Sequence, residues 1–306
     1  MEITVEQPGG PFYSVVGDLG SAAWATDLTI QMVRGLGEDG REKFWLLRRI
    51  GYVDAEVGQI VVPKDLDWTT DLTSVPWFMT WLVPKTGTHL PAAILHDGLV
   101  MAKGEPASYY SPGHTIHRDQ ADRIFRDAMI ATGTPTIRAW LVWAAVTAAT
   151  IFHGRSGQQV DWRPLLRWYY FSALCVTAGL IVVLGLWSAL DVFGVQTLGA
   201  GENAVRVPDV PWISDGPWLG FLGGFAGSVV IPLALGTLWG KFRAAGWILG
   251  PIAAILLLAV VPILFLGGLY VAAETLYRSH RVLARSGAVA GVGLSCVLFV
   301  LALAGW

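Results

Sequence analysis

The chain has 306 residues and a formal net charge of −2, with 54% hydrophobic and 14% charged residues. Residues 1–167 contain 15 Lys and Arg against 18 Asp and Glu, so we expect no basic footprint for nucleic acid and no nucleic-acid partner. Both cysteines, Cys175 and Cys296, lie in apolar runs, which argues against a disulfide framework or a thiolate metal site.

The first part of the chain has the pattern of a small antiparallel sheet. Residues 27–33 alternate weakly, and a Gly-Glu-Asp-Gly turn follows at residues 37–40. Two further strands are predicted over residues 43–53 and 57–62, the second of which ends at Pro63.

Beyond Pro91 the apolar residues follow a helical period. We predict helices over residues 91–102, 119–132 and 135–152, with Gly133 ending the second and Pro135 opening the third. The third helix is just long enough to cross a membrane, but Arg138 and the short loop before it favour a buried or membrane-facing helix. The predicted fold class is therefore an α+β soluble domain over residues 1–160.

Three sequence blocks within this domain resemble a known family. The blocks are Thr-Asp-Leu-Thr-Ser-Val-Pro at 70–76, Ala-Ala-Ile-Leu-His-Asp at 92–97 and Ala-Asp-Arg-Ile-Phe-Arg-Asp-Ala-Met at 121–129. In this order they resemble domain of unknown function 1353, found in bacteria and their phages, over about residues 44–149. The resemblance implies a fold and a phage or prophage association but no settled activity. The apolar C-terminal region departs from that family.

The same blocks contain the candidate site residues, Asp71, His96, Asp97 and Asp122. These residue types act as catalytic acids and bases, and His96, Asp97 and Asp122 are candidate ligands of a divalent metal. Consecutive residues of a helix diverge by about 100°, so His96 and Asp97 cannot both face one point without a bend. We expect a contact between His96 and Asp122, which is geometrically easy. The alternative is structural: a buried His bonded to an Asp, and an Asp that holds a loop.

Two other polar patterns indicate a functional site less strongly. The His-Asp doublet is similar to that of HD-type phosphohydrolases, but His89 is too close to supply the further upstream ligand that those enzymes need. His114, His117 and Asp119 precede the second helix, where we expect Asp119 to cap the helix and the histidines to be exposed.

The C-terminal half is apolar enough to be a membrane bundle. Mean hydropathy over the chain is +0.52, and residues 168–306 contain only eleven formally charged side chains. We predict about four transmembrane helices, over residues 168–190, 218–238, 247–273 and 287–305. Pro251, Pro262 and Gly267-Gly268 interrupt the third, so a re-entrant segment is the alternative.

The charges that flank these runs predict an orientation. Arg155, Arg163 and Arg167 precede the first span, and Lys241 and Arg243 lie between the second and third. By the positive-inside rule both groups lie in the cytoplasm. Because the N-terminus has no secretory signal, we expect an integral protein of the bacterial inner membrane with a cytoplasmic soluble domain.

The spans suggest anchoring and assembly. They contain no mid-membrane acidic or basic residue of the kind that ion-coupled transporters use. The pairs Gly220/Gly224, Gly223/Gly227 and Gly287/Gly291 have helix-packing spacing, so protein partners or self-association are expected beside the lipid bilayer. The function predicted is assembly or envelope interaction, without a decision on enzymatic activity. The alternatives are a membrane-tethered metal-dependent hydrolase that uses Asp71, His96, Asp97 and Asp122, and a holin-like pore.

Overall fold

The structure is a computed structural model. It describes residues 2–7, 10–16, 19, 23–25, 28–37, 42–72, 87–101, 106–192, 194–195, 197–198, 205–213 and 216–279. Three predicted features lie outside the described residues: positions 38–40 of the first turn, positions 73–76 of the first sequence block, and the fourth span with its Gly287/Gly291 pair.

The N-terminal part forms two antiparallel sheets of four strands each. The strands are β1 (Glu2–Gln7), β2 (Phe12–Val16), β3 (Ala23–Ala25), β4 (Leu28–Leu36), β5 (Glu42–Leu46), β6 (Arg49–Asp54), β7 (Gly58–Val62) and β8 (Thr69–Thr70). Their orders are β1-β4-β5-β8 and β3-β2-β6-β7.

The predicted strand over residues 43–53 is wrong as a single element. It is divided between β5 and β6, which belong to different sheets. Leu47 and Arg48 at the division are exposed, whereas Leu46 and Ile50 on either side are buried. The chain bends here because one straight strand could not bury both of these side chains in separate sheets.

Three helices follow the strands, as predicted. They are α1 (Leu90–Leu99), α2 (Arg118–Ala131) and α3 (Thr136–Gly154). Helix α1 packs on the strands, α2 on α1 and α3 on α2. Pro91 lies in the first turn of α1, where a missing N–H costs little. Gly133 adopts a left-handed φ of 82° that ends α2. The α1 prediction was three residues too long, because Val100 is already extended.

The predicted stripe on α2 forms the centre of the domain core. Ala121, Ile124, Phe125, Ala128 and Met129 are all buried, and they share one cluster with residues of α1 and of both sheets. The domain therefore has a hydrophobic core of its own, and the α+β prediction is confirmed.

Long helices make up most of the C-terminal part. They are α4 (Pro164–Val192), α5 (Pro217–Gly236) and α6 (Arg243–Ser279), with a short hairpin of β9 (Thr197–Leu198) and β10 (Val205–Arg206) between α4 and α5. A 3-10 turn over Thr237–Phe242, here termed the hairpin tip, joins α5 to α6. At 1.5 Å per residue, α4 is about 44 Å long, enough to cross hydrocarbon.

Three helical segments are long and apolar enough to span a membrane: Thr136–Gly154, Pro164–Asp191 and Trp218–Leu257. The predicted count of about four is therefore not supported by the described residues. The second and third predicted spans share one segment and the fourth lies outside the described residues, whereas α3 is added as a segment that was not counted as a span. The predicted break at Pro251 and Pro262 is also wrong, since α6 continues through both prolines, as membrane helices can.

The chain reverses direction at the hairpin tip. Gly240 has φ 59° and ψ −119°, a conformation that favours glycine. A Cβ on Gly246 would lie 2.8 Å from Gly236 Cα, and one on Gly250 would lie 2.9 Å from Pro232 Cβ. Both close pairs are centred on Lys241, so α5 and the beginning of α6 run antiparallel. The mainly apolar segment that contains this hairpin has 40 residues, too many for one membrane crossing. The hairpin divides the segment into two helical legs.

Described residues up to Ile255 form one compact unit, because the hairpin tip packs against the N-terminal domain. Trp162, Tyr170 and Phe242 share a buried cluster with Ala144 and Ile151 of α3. The Tyr169 hydroxyl donates to Leu238 O at 2.7 Å, and buried Trp239 Nε1 donates to Thr177 Oγ1 at 3.0 Å. The tip therefore lies at the same end of α4 as the domain.

Candidate functional site

His96 on α1 and Asp122 on α2 form the closest pair among the predicted site residues. His96 Nε2 lies 2.9 Å from Asp122 Oδ1, and the side chains are 18% and 2% exposed. The imidazole stacks on Phe125, with ring centroids 4.6 Å apart and planes inclined by 23°. Asp122 Oδ2 is buried and has no hydrogen-bond partner among the described residues. The predicted His96–Asp122 contact is confirmed.

Asp97 is directed elsewhere, as the helical geometry predicts. The Thr70 hydroxyl in β8 donates to Asp97 Oδ2 and accepts a hydrogen bond from the Leu72 backbone N–H at 2.8 Å. Leu72 has a left-handed φ of 69°, which is unfavourable for an L-residue with a side chain. The Thr70–Asp97 pair thus joins α1 to a constrained turn of the first sequence block.

The four predicted residues are therefore divided. His96 pairs with Asp122, Asp97 pairs with Thr70, and Asp71 is exposed in the turn beside Thr70. Within the described parts of the chain, no group of three His, Cys, Asp or Glu side chains is arranged to hold a metal ion. The candidate ligands His96, Asp97 and Asp122 do not form such a group among the described residues.

The His96–Asp122 pair still has chemical potential. A carboxylate bonded to one ring nitrogen orients an imidazole, and this is the arrangement by which a histidine acts as a general base. His96 is partly accessible, so its ring is not sealed in the core. The pair can therefore transfer a proton or simply hold α1 against α2.

The sequence reading missed a larger polar network. Arg123 binds Asp54 through two hydrogen bonds, Nη2 to Oδ1 at 2.8 Å and Nη1 to Oδ2 at 3.1 Å. It also lies 3.2 Å from Glu56 and 3.3 Å from Asp127. Asp54 Oδ1 accepts the backbone N–H groups of Glu56 and Val57, each at 3.0 Å. This network fixes the β6–β7 turn on α2.

Ionisation of the network is set by these contacts. Burial alone would raise the pKa of Asp54, but the hydrogen bonds from Arg123, Val57 and Glu56 outweigh it and lower the pKa. The hydrogen bond to Asp54 is the main cause that raises the pKa of Arg123. Burial, reinforced by Asp54 and Asp127, raises the pKa of Tyr52 to about 12. The lowered pKa of Asp54 and the raised pKa of Arg123 keep both groups charged at neutral pH, which is the pattern of a structural ion pair.

Gln159 is a second residue that no sequence signal indicated. Its Nε2 donates to Leu99 O at 2.5 Å and Ile116 O at 3.1 Å, and its Oε1 accepts the Met101 N–H at 2.8 Å. Gln159 itself has a left-handed φ of 54°. It ties the segment before α4 to the end of α1 and the start of α2.

The prediction for the start of α2 needs correction. His117, and not Asp119, occupies the capping position, and its backbone N–H donates to Gln120 Oε1 at 3.0 Å. Asp119 instead accepts a hydrogen bond from Lys241 Nζ of the hairpin tip at 2.8 Å. A long-range partner thus determines its position.

The glycine pairs of α5 also differ from expectation. Cβ atoms on Gly223 and Gly227 would collide with Trp212 of the preceding loop, whereas one on Gly224 would meet nothing within 4 Å. Gly223 thus makes room for the Trp212 backbone and Gly227 for its indole ring, and close helix approach occurs at Gly236, Gly246 and Gly250.

Comparison with known proteins gives one match. The family model described as a protein of unknown function (DUF1353) matches residues 44–146, less than half of the chain. No curated protein and no solved structure matches. The matched range contains the His96–Asp122 and Thr70–Asp97 pairs and the Asp54–Arg123 network. It ends before Gln159 and α4. Over this range the chain is similar to that family of unknown function, and the helices that follow lie outside the match.

Proposed function

We propose that the chain is a membrane-anchored protein of phage or prophage type, whose α+β domain acts in assembly or envelope interaction and not in catalysis. The observation that carries this proposal is the division of the predicted site residues. His96–Asp122 and Thr70–Asp97 each bridge two secondary-structure elements, as structural polar pairs do, and they do not converge on one point.

Membrane anchoring is supported by three apolar helical segments and by their exposed surface. Trp218, Leu219 and Val230 are 79%, 63% and 63% exposed, and such side chains are stable next to lipid. We place the helices in the bacterial inner membrane and the domain in the cytoplasm, because the arginines before α4 follow the positive-inside rule.

The partners proposed are the lipid bilayer and other protein chains. Assembly through proteins is supported by the domain surface, where Leu36 and Leu47 are exposed at the ends of β4 and β5. Self-association through the open side of α5 around Gly224 is a second route.

A membrane-tethered hydrolase remains the second candidate, and one observation favours it. Asp122 Oδ2 is buried without a hydrogen-bond partner among the described residues, and a catalytic role is one explanation for such an unpaired buried atom. A metal-independent reaction with His96 as the base fits this geometry better than a metal-dependent one.

Substitution of His96 separates the two candidates. If the pair is structural, His96→Ala leaves Asp122 buried and unpaired and lowers the free energy of unfolding by about 2 kcal/mol. The measurement is thermal unfolding of the purified full chain, with metal content determined in parallel. His114→Ala, at an exposed histidine, is the matched control and should change little.

Two results would overturn a purely structural role of His96. Stoichiometric Zn, Mn or Mg that is lost in His96→Ala without a change in thermal stability supports a catalytic metal site. Hydrolysis of a generic phosphoester or ester by the native chain, abolished in the same variant, supports the metal-independent enzyme.

A further inference from the structure

Five basic residues from two distant parts of the sequence meet where the domain joins the helices. Arg155, Arg163 and Arg167 lie around the start of α4, and Lys241 and Arg243 lie at the hairpin tip. We refer to these five residues as the basic collar. The two groups are held together because the Trp162 ring packs 5.2 Å from the Phe242 ring and 4.9 Å from Lys241 Nζ.

The collar carries an excess of positive charge. The carboxylates in the same segments are Asp161, next to Trp162, and Asp119, which is bonded to Lys241. Residues 1–167 as a whole are acidic even with three collar arginines included. The positive charge is therefore concentrated at this junction. By contrast, the loop at the opposite end of α4 has Asp191, Glu202, Asp209 and Asp215 against Arg206 alone.

Arg155 has the most specific environment of the five. Its guanidinium carbon lies 3.8 Å from the Phe152 ring centroid and 5.0 Å from that of Phe171. Its Nη1 is buried and has no hydrogen-bond partner among the described residues. The residue as a whole is only partly buried, and a planar guanidinium stacked on aromatic rings is suited to binding a phosphate group.

The other collar residues show that the junction is accessible. Arg163, Lys241 and Arg243 are exposed, and Arg243 lies 5.6 Å from the Trp247 ring. Arg167 is partly used within the protein, since its Nε donates to Trp162 O at 2.7 Å.

The collar lies at the level where a membrane surface would be. The first turns of α4 expose Leu165, Trp168 and Tyr169, and aromatic residues of this kind concentrate at the headgroup region. Basic residues directly beside a membrane helix attract anionic lipid headgroups. Continuity with the apolar surface of α4 therefore favours a lipid over a soluble anion or a protein.

We propose that the basic collar binds the phosphate groups of anionic phospholipids and thereby fixes the domain on the membrane surface. This inference rests on the proposed membrane anchoring and specifies the lipid class. Arg155, whose guanidinium stacks on Phe152 and Phe171, binds one phosphate, and the exposed members of the collar bind neighbouring headgroups.

Thermal unfolding of the full chain in lipid nanodiscs tests the proposal. Discs of phosphatidylcholine are compared with discs that contain phosphatidylglycerol, and Tm is followed by tryptophan fluorescence. We expect Tm to be higher by at least about 3 °C in the anionic discs, as for a ligand that binds only the folded state. Arg155→Gln combined with Arg163→Gln and Arg243→Gln should remove the shift.

Two matched variants control for the substitutions. Arg206→Gln, at the opposite end of α4, should retain the full shift. Arg155→Lys combined with Arg163→Lys and Arg243→Lys should retain most of it, because the charges remain. If the glutamine triple variant fails to fold, Arg163→Gln alone, at an exposed position, should reduce the shift.

Each remaining outcome has a defined meaning. Equal Tm in the two kinds of disc, or a shift that survives the glutamine substitutions, overturns the lipid proposal. Inorganic phosphate added to phosphatidylcholine discs should have no effect, and an equal shift would show a site for the free ion instead. Failure of the chain to enter either disc contradicts membrane anchoring itself.

Discussion

The N-terminal domain buries most of its large aliphatic side chains, whereas the helices after it leave many of theirs exposed. In the domain, Ile30, Ile50 and Ile94 are completely buried, and charged groups are paired inside through Asp54 and Arg123. In α4 and α5, Val183 and Val230 are 60% and 63% exposed, and polar contacts occur mainly near the helix ends. A large aliphatic side chain loses about 1.5–3 kcal/mol when left in water. The exposed apolar side chains of α4 and α5 are compatible with a lipid environment, whereas the domain buries most of its large aliphatic side chains in a core of its own.

The two regions meet at a small polar contact. Lys241 at the hairpin tip bonds Asp119 of the domain at 2.8 Å, beside the aromatic cluster of Trp162, Tyr170 and Phe242. Because the cluster is apolar and buried, it contributes more to docking than the exposed ion pair does. The predictions that follow test each side of this comparison and then the contact itself.

Breaking the domain's internal ion cluster should have the largest effect. Asp54→Asn removes the charge that binds Arg123, and the free energy of unfolding should fall by about 3 kcal/mol, since breaking one side of a buried pair is costly. Glu56 and Asp127 remain near Arg123 and keep the loss at the lower end of that range. Chemical denaturation at neutral pH measures it.

The same substitution should also change the response to acid. The pKa of Asp54 is lowered by folding from its ordinary value of 3.8, so its stabilisation is full above that pH and disappears as pH falls through the folded pKa. The stability difference between the native chain and Asp54→Asn should therefore shrink below about pH 4. A difference that stays constant down to pH 2 contradicts the charged role of Asp54.

Replacing an exposed apolar residue by aspartate should have different effects in the helices, which we expect to face lipid, and in the domain, which we expect to face water. Val183→Asp in α4 should impair membrane insertion, because an aspartate near the middle of a span costs about 2.5–3.5 kcal/mol. Leu36→Asp, at a position that is 71% exposed in β4, should change stability by less than about 0.5 kcal/mol. Insertion into microsomes measures the first and denaturation the second. Equal tolerance at both positions would mean that α4 faces water.

Close approach within the hairpin can be tested with alanine. A Cβ on Gly250 would lie 2.9 Å from Pro232 Cβ and 3.1 Å from its carbonyl oxygen, so Gly250→Ala should destabilise the protein by about 1–2 kcal/mol. Gly224→Ala, with nothing within 4 Å, should be neutral or stabilising by up to about 1 kcal/mol. Thermal unfolding in detergent compares them, and the reverse ranking would contradict an antiparallel α5–α6 hairpin.

The ion pair at the junction should contribute least. Lys241→Gln removes the bond to Asp119, whose side chain is partly exposed like that of Lys241, so the loss should be about 0.5–1 kcal/mol. Asp119→Asn should cost a similar amount, and the double variant should cost less than the sum of the two, because they share one interaction. Strict additivity would show that the two side chains do not interact.

Local patterns predicted much of the domain. The apolar stripe of α2, Pro91 at the start of α1 and Gly133 after α2 are short-range signals, and the structure confirms each one. The His96–Asp122 contact followed from helical geometry once the two blocks were placed on neighbouring helices.

Long-range features could not be predicted in this way. Arg123 and Asp54 are 69 residues apart, and charged residues at such separation leave no periodic signature. The reversal at the hairpin tip was indicated by Lys241 and Arg243 between two predicted spans, but the close approach of Gly236 and Gly246 that closes the hairpin has no local signature. The bend at Leu47 is likewise determined by long-range pairing, because β5 and β6 belong to different sheets.

Alkaline carbonate extraction of cell membranes tests the central claim most directly, because it removes peripheral proteins and leaves integral ones with the lipid. The account predicts that the full chain stays in the membrane pellet and needs detergent for release. Recovery of the chain in the carbonate supernatant, as a folded protein without detergent, would contradict it.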